Sequence, residues 1–172
     1  HVRSRRQRQM CIRDRNMCDF TLTEPVDLVT CFLYSIHYSA SIQNLKACID
    51  SVFKALKPGG VFCFNAVDKD KIDNNSYVRH SAVFDDSHFV FESGWNYSGT
   101  GEKQTLNLSI EKTTIDLKQL WQDQHPMVAV SFAELEQLLC SCFEVHILEH
   151  SYEKIAAWDN AVSYTHLRAH ET

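Results

Sequence analysis

Residues Val26 to Val67 constrain the fold more than any other stretch of this chain. An apolar run, Val26 to Phe32, leads through a loop into a segment from Ser41 to Lys57 whose side chains Ile42, Leu45, Ile49, Val52, Phe53 and Leu56 recur at spacings of three and four. A Leu-Lys-Pro-Gly-Gly turn over Leu56 to Gly60 then opens a second apolar run, Val61 to Ala66. Neither apolar run alternates with polar residues, as expected of strands covered on both faces in a parallel sheet. The middle segment places its apolar residues on one helical stripe. Ser41 can cap that helix. Pro58 stops it, because the residue before a proline avoids the α region. Gly59 and Gly60 permit the tight turn that follows. Strand, helix and strand in this order predict one βαβ crossover with two neighbouring parallel strands.

Beyond Val67 the period changes. Asp68 to Asn75 is charged and polar and reads as a loop. Phe89, Phe91, Trp95 and Tyr97 recur at even spacing, and after a Ser-Gly-Thr-Gly loop Leu106, Leu108 and Ile110 alternate with Asn107, Ser109 and Glu111. Two alternating runs joined by a glycine-containing loop predict an antiparallel hairpin. A third strand is expected near Met127 to Val130, so that about 68–130 forms an antiparallel β insertion beside the parallel sheet. Ser131-Phe132-Ala133-Glu134 is a capping box and starts a helix. Phe143, Val145 and Ile147 alternate as a strand, and the chain is expected to end before any closing strand.

Ligands of open α/β sheets bind at the carboxyl ends of the strands. Two such ends are present, Cys31 to Tyr38 and Asn65 to Asp68. The succession around the Leu-Lys-Pro-Gly-Gly turn resembles the later half of a class I S-adenosylmethionine-dependent methyltransferase. The resemblance spans about 16–160 and implies a partial Rossmann-like α/β sheet, with S-adenosyl-L-methionine as cofactor. It implies that Asn16 and Met17 hold the adenine, asparagine standing where relatives usually carry an acid, and that Cys31, Phe32 and Leu33 lie along the cofactor. Asn65 sits where relatives often have aspartate. By the same resemblance Tyr34, His37 and Tyr38 line a substrate pocket, with Trp95, Tyr97, Trp121 and His125 as a lid. Each has a plainer reading: Met17, Cys31 and Phe32 as core residues, Tyr34, His37 and Tyr38 as a cover over the helix start, Trp95 and Trp121 as the apolar face of a hairpin, and His125 as a hydrogen-bonded structural histidine. A sulfonium methyl group is already electrophilic, so the protein need only align a nucleophile and exclude water. No catalytic triad is therefore expected. Where the acceptor must lose a proton, His37, Tyr38 and His125 are the candidates. The glycine-rich turn and ribose-binding acid of such a fold are missing from this sequence, which predicts weak or no binding of the cofactor and a fragment that is itself inactive.

Both chain ends resemble translated sequencing adapters of the transposase type: the stretch up to residue 15, with Arg-Arg-Gln-Arg-Gln-Met-Cys-Ile-Arg-Asp-Arg over Arg5 to Arg15, and Val162 to Thr172. They are set aside as non-native tails without fold information, in preference to reading the first as a basic nucleic-acid arm. The domain of interest is then 16–161. The tails hold seven of the 17 Lys+Arg and two of the 22 Asp+Glu, which leaves the middle with twice as many acidic as basic side chains. That balance disfavours nucleic acid and anionic membrane as partners and favours a small-molecule acceptor. No run approaches the ~18 apolar residues of a membrane span. The cysteines read as reduced thiols of a cytoplasmic protein. Cys140-x-Cys142 near His146 and His150 does not match a zinc spacing, and no metal is expected.

Three other functions fit parts of the pattern. A nicotinamide-dependent oxidoreductase could contain the same half-sheet, since fold does not fix function; the antiparallel insertion favours the methyltransferase. A non-catalytic module could use the aromatic hairpin for docking. A nucleic-acid modifier is disfavoured by the acidic middle.

Overall fold

The computed structural model describes residues 14–149 and 164–171. The expected crossover is there. Strand β1 (Val26–Cys31), helix α1 (Ile42–Ala55) and strand β2 (Leu56–Val67) follow one another, and β1 and β2 pair in parallel, with Val29 opposite Phe62 and Cys31 opposite Phe64. Ser41 caps α1 by accepting a bond from the Asn44 N–H at 3.1 Å. The strand begins at once after the helix, and its register with β1 breaks between Leu56 and Val61 where the turn residues bulge. Gly59 adopts a left-handed φ of 76°, and a Cβ on Gly60 would lie 2.8 Å from the Lys57 carbonyl oxygen.

The insertion is larger than the sequence pattern suggests. It holds four antiparallel strands in the order β3 (Val78–Phe84), β4 (Ser87–Tyr97), β5 (Lys103–Thr113) and β6 (Lys118–Val128). The third strand of the sequence reading belongs to β6, which starts well before Met127. β3 and β6 are the two edges of this sheet. Every residue of β3 is exposed, and most of β6 is too. Edge strands are held by backbone ladders and need no apolar alternation, so no period marks them. Pro126 is accommodated because β6 lies at an edge.

Helix α2 (Phe132–Leu139) starts at the predicted capping box: Ser131 Oγ accepts the Glu134 N–H at 3.2 Å, and Glu134 accepts the Ser131 N–H at 2.8 Å. Strand β7 (Phe143–Glu149) follows. The first sheet then closes in a way that corrects the sequence reading. Tyr164–Glu171, inside the tail set aside as carrying no fold information, forms β8 and lies between β2 and β7, antiparallel to both. A strand flanked on both sides is held by its backbone N–H and C=O groups. Any proline-free extended segment can supply those groups, whatever its side chains. The N-terminal tail up to residue 13 and His150 lie outside the described residues.

One apolar cluster joins the crossover to α2. Phe62, Phe64, Leu45, Ile49, Leu135 and Leu139 are fully buried in it. The opposite face of β1 is not covered among the described residues: Leu28 is 56% exposed, against the expectation of a strand enclosed on both sides. A second, smaller cluster of Val67, Trp95 and Met127 fixes the antiparallel sheet to the end of β2.

Candidate functional site

The carboxyl end of β1 leaves the sheet through an unusual backbone. Leu33 and Tyr34, neither of them glycine, hold φ angles of 54° and 59°. Left-handed conformations of such residues cost of order 1 kcal/mol each and persist where the surroundings enforce them. Here the enforcement is visible. The Leu33 N–H donates to Asn65 Oδ1 at 3.1 Å, Ser35 Oγ donates to the Phe32 carbonyl at 2.6 Å, and the His37 N–H donates to the Tyr34 carbonyl at 3.0 Å. A short 3₁₀ turn, Ser35–Ser39, follows. The result holds Phe32 and Leu33 out at the tip of the strand, Leu33 79% exposed. Asn65 is buried, and its Nδ2 has no partner among the described residues. A buried donor left over beside an exposed strand tip is the kind of group a ligand satisfies.

His37 lies at the centre of the junction between the two sheets and is completely buried. The Val67 N–H donates to its Nε2 at 3.0 Å, so Nε2 carries no proton. Nδ1 therefore bears it and donates to the Val128 carbonyl at 2.9 Å. The Gln104 side-chain amide nitrogen, Nε2, also lies 3.1 Å from Nδ1. Burial lowers the pKa of the imidazole to about 4, although the bond to Val128 opposes the shift. His37 is thus a neutral tie between β2, β5 and β6. The expectation that it lines a pocket or takes a proton is corrected, because both ring nitrogens are engaged and neither is accessible.

Trp95 is likewise interior, packed edge-on against Tyr34 with ring centroids 5.6 Å apart and 5.7 Å from His37. It plugs the junction and is no lid. Tyr97 bonds within its own hairpin: its hydroxyl donates to the Gly101 carbonyl at 3.0 Å. The plainer reading of Met17 and Cys31 holds as well. Both pack against the main cluster, and burial pushes the Cys31 thiol up to about 11. Asn16 turns its side-chain oxygen back to accept the Cys18 N–H at 3.0 Å, so that oxygen is already used in a local turn. At the end of β2, burial raises the Asp68 carboxyl, against the N–H it accepts from Asp70.

Two of the expected residues do meet at the surface. Tyr38, the one exposed aromatic of the 3₁₀ turn, bonds through its hydroxyl to His125 Nδ1 on β6. His125 Nε2 in turn lies 3.1 Å from Asp123 Oδ2. Asp123 is absent from the sequence expectations. Its signal is an Asp-x-His pair on an extended segment, since residues two apart share a face. Trp121 shares that face and is half exposed. On the other face, Glu92, Asn107, Ser109, Gln122 and Gln124 line a polar cavity of about 550 Å3. Among the described residues no group of three or more His, Cys, Asp or Glu is placed to hold a metal ion, and no helix is long and apolar enough to cross a membrane.

No family model and no curated protein matches the sequence. Solved structures do match the fold. CalS10, an amino pentose methyltransferase from Micromonospora echinaspora solved with SAM bound, superposes with a TM-score of 0.75 at 12% identity, over 92% of this chain and 63% of that one. DesVI of Streptomyces venezuelae gives 0.73 at 16% identity, over 92% and 64%. The sugar N-methyltransferase KedS8 from Streptoalloteichus gives 0.70 at 14% identity, over 91% and 60%. The chain thus spans under two thirds of the length of each of these structures. At these identities the likeness establishes the fold: an α/β sheet with an antiparallel β insertion, arranged as in these three structures.

Proposed function

We propose that this chain is part of an S-adenosyl-L-methionine-dependent methyltransferase that acts on a small molecule. The observation that carries the reading is the strand end of β1. Its backbone is held in a left-handed turn by a buried Asn65 whose Nδ2 meets no partner among the described residues, beside a parallel neighbour, in a fold shared with methyltransferases. Phe32 and Leu33 would lie along the cofactor, with Asn65 supplying a neutral donor from beneath. Tyr34 would close the inner wall, while Tyr38 and His125 would face the acceptor. When bound, the cofactor supplies an activated methyl group; the chain's own residues orient the acceptor and keep water away. The turn at Asn16 and Met17 would offer at most backbone and packing contacts to the adenine.

Donor binding by these 172 residues is expected to be weak, since the described residues offer one wall and no glycine cradle. The proposal extends to a cytoplasmic setting, which suits the free thiols, and to no affinity for nucleic acid, which suits the acidic middle. Calorimetric titration tests it. We expect S-adenosylmethionine to bind with a dissociation constant no tighter than roughly 0.1 mM, and more tightly than NAD. A preference for NAD would sink the methyltransferase reading, and a low-micromolar constant would sink the expectation of weak binding.

A further inference from the structure

We propose that Tyr38, His125 and Asp123 form a proton relay at the mouth of the site, and that the acceptor is therefore a molecule whose nucleophilic atom carries a proton, an amine or a hydroxyl. This rests on the methyltransferase reading. The three groups come from elements far apart in sequence, the turn after β1 and the edge strand β6, and they meet in one line of hydrogen bonds. The Asp123 carboxylate can only accept, so His125 Nε2 carries the proton and Nδ1 is left with a lone pair. That lone pair is where the Tyr38 hydroxyl points. Its proton is committed to the histidine, so the lone pairs of the phenol oxygen remain to accept a proton from a bound ligand. Tyr38 and Asp123 are exposed and His125 is part-exposed. None is needed to complete the core, in contrast to His37, whose nitrogens are both used inside.

The balance is simple. The acceptor's lone pair forms the new bond to the methyl carbon, and the carbon–sulfur bond of the sulfonium donor breaks with its electron pair going to sulfur. The acceptor's N–H or O–H proton passes to the Tyr38 oxygen, as the Tyr38 proton passes to His125 Nδ1. The resulting imidazolium is held by Asp123 and releases its proton to water. Tyr38 is the group that touches the acceptor; His125 and Asp123 act through it.

The first test needs no donor. Long-range 1H–15N spectra of the full chain with 15N-labelled histidine report which ring nitrogen of His125 is protonated. The relay requires a bare Nδ1 and a protonated Nε2, with Tyr38→Phe moving the Nδ1 resonance and Asp123→Asn moving the Nε2 resonance. A proton on Nδ1, or a spectrum indifferent to both substitutions, overturns it. The second test compares transfer of labelled methyl from millimolar S-adenosylmethionine to benzyl alcohol, whose oxygen must lose a proton, and to tetrahydrothiophene, a thioether whose sulfur carries none. In Tyr38→Phe and His125→Gln the ratio of the first to the second should fall on the order of 100-fold. An unchanged ratio overturns the relay, because a merely structural role would lower both rates together. If the chain moves no label, as the missing glycine cradle predicts, the nitrogen spectra decide the relay alone, and the methyltransferase reading fails only on a preference for NAD over S-adenosylmethionine in the titration.

Discussion

The crossover sheet and the antiparallel sheet hold their aromatic residues in opposite ways. Phe62 and Phe64 of β2 are 0% exposed, whereas Phe91 of β4 and Trp121 of β6 are 41% and 49% exposed. The crossover is therefore specified by side-chain burial, at about 1.5–3 kcal/mol for each large apolar group enclosed. The antiparallel sheet is specified mainly by its backbone ladders, with β4 and β5 paired without a break from His88–Thr113 to Tyr97–Gln104. It is anchored at one end, where Trp95, Met127 and His37 meet Val67. That difference predicts a wide spread in mutational cost. Phe64→Ala should remove about 3–5 kcal/mol of stability in urea unfolding, the usual range for emptying a buried aromatic site. A loss under about 1 kcal/mol would mean that the crossover is not the denser half, and the comparison would fail.

The same contrast explains what the sequence discloses. Burial marks the sequence, so the apolar runs of β1 and β2 and the helical stripe of α1 can be read directly, as can the capping box at Ser131. Backbone pairing leaves no such mark. β3, with every residue exposed, and the polar length of β6 from Lys118 to Gln124 carry no alternation, and their place is fixed by the neighbouring strands. β8 shows the extreme: its register is a matter of ladders on two sides. The site follows the same rule. The strand ends are where open-sheet topology puts them, and Tyr38 and His125 are among the sequence candidates. What the sequence withholds is which histidine faces solvent. His37 and Tyr38 are adjacent, yet one is sealed in and the other is not, because the 3₁₀ turn points them in different directions. Asp123 was hidden for a related reason, since its meaning appears only when His125 is seen to need its Nε2 proton fixed.

The anchor between the sheets gives the next largest effect. His37→Ala would leave the Val67 N–H and the Val128 carbonyl without their side-chain partner in a buried space, at a cost of about 3 kcal/mol. The histidine also imposes a pH dependence. Its folded pKa of about 4 lies below the ordinary 6.5, so between these values the unfolded chain binds the proton and the folded chain does not. Its contribution is complete above pH 6.5 and is lost as the pH falls toward 4, with an ideal limit on the order of 3 kcal/mol. Urea midpoints recorded from pH 7 to pH 4 should fall more steeply for the parent chain than for His37→Ala or His37→Gln. Equal slopes would show that the junction admits the charged imidazole, and hence that the two sheets do not meet through a dry contact.

The smallest effect lies at the open end of the antiparallel sheet, and it sharpens the comparison most. Trp121 stands on the same face of β6 as His125 and opposite Ile110 of β5, itself 38% exposed. A half-exposed side chain on an edge strand returns only part of its transfer free energy on folding, and its backbone bonds do not depend on its identity. Trp121→Ser should therefore shift the urea unfolding free energy by less than about 1 kcal/mol, with the far-ultraviolet circular dichroism of the sheet unchanged. If the tryptophan instead proves as costly to remove as Phe64, the face it shares with Phe91 and Ile110 must be covered in solution. The antiparallel sheet would then depend on side-chain burial as the crossover does. A loss of tenths of a kcal/mol leaves that face open beside Tyr38 and His125.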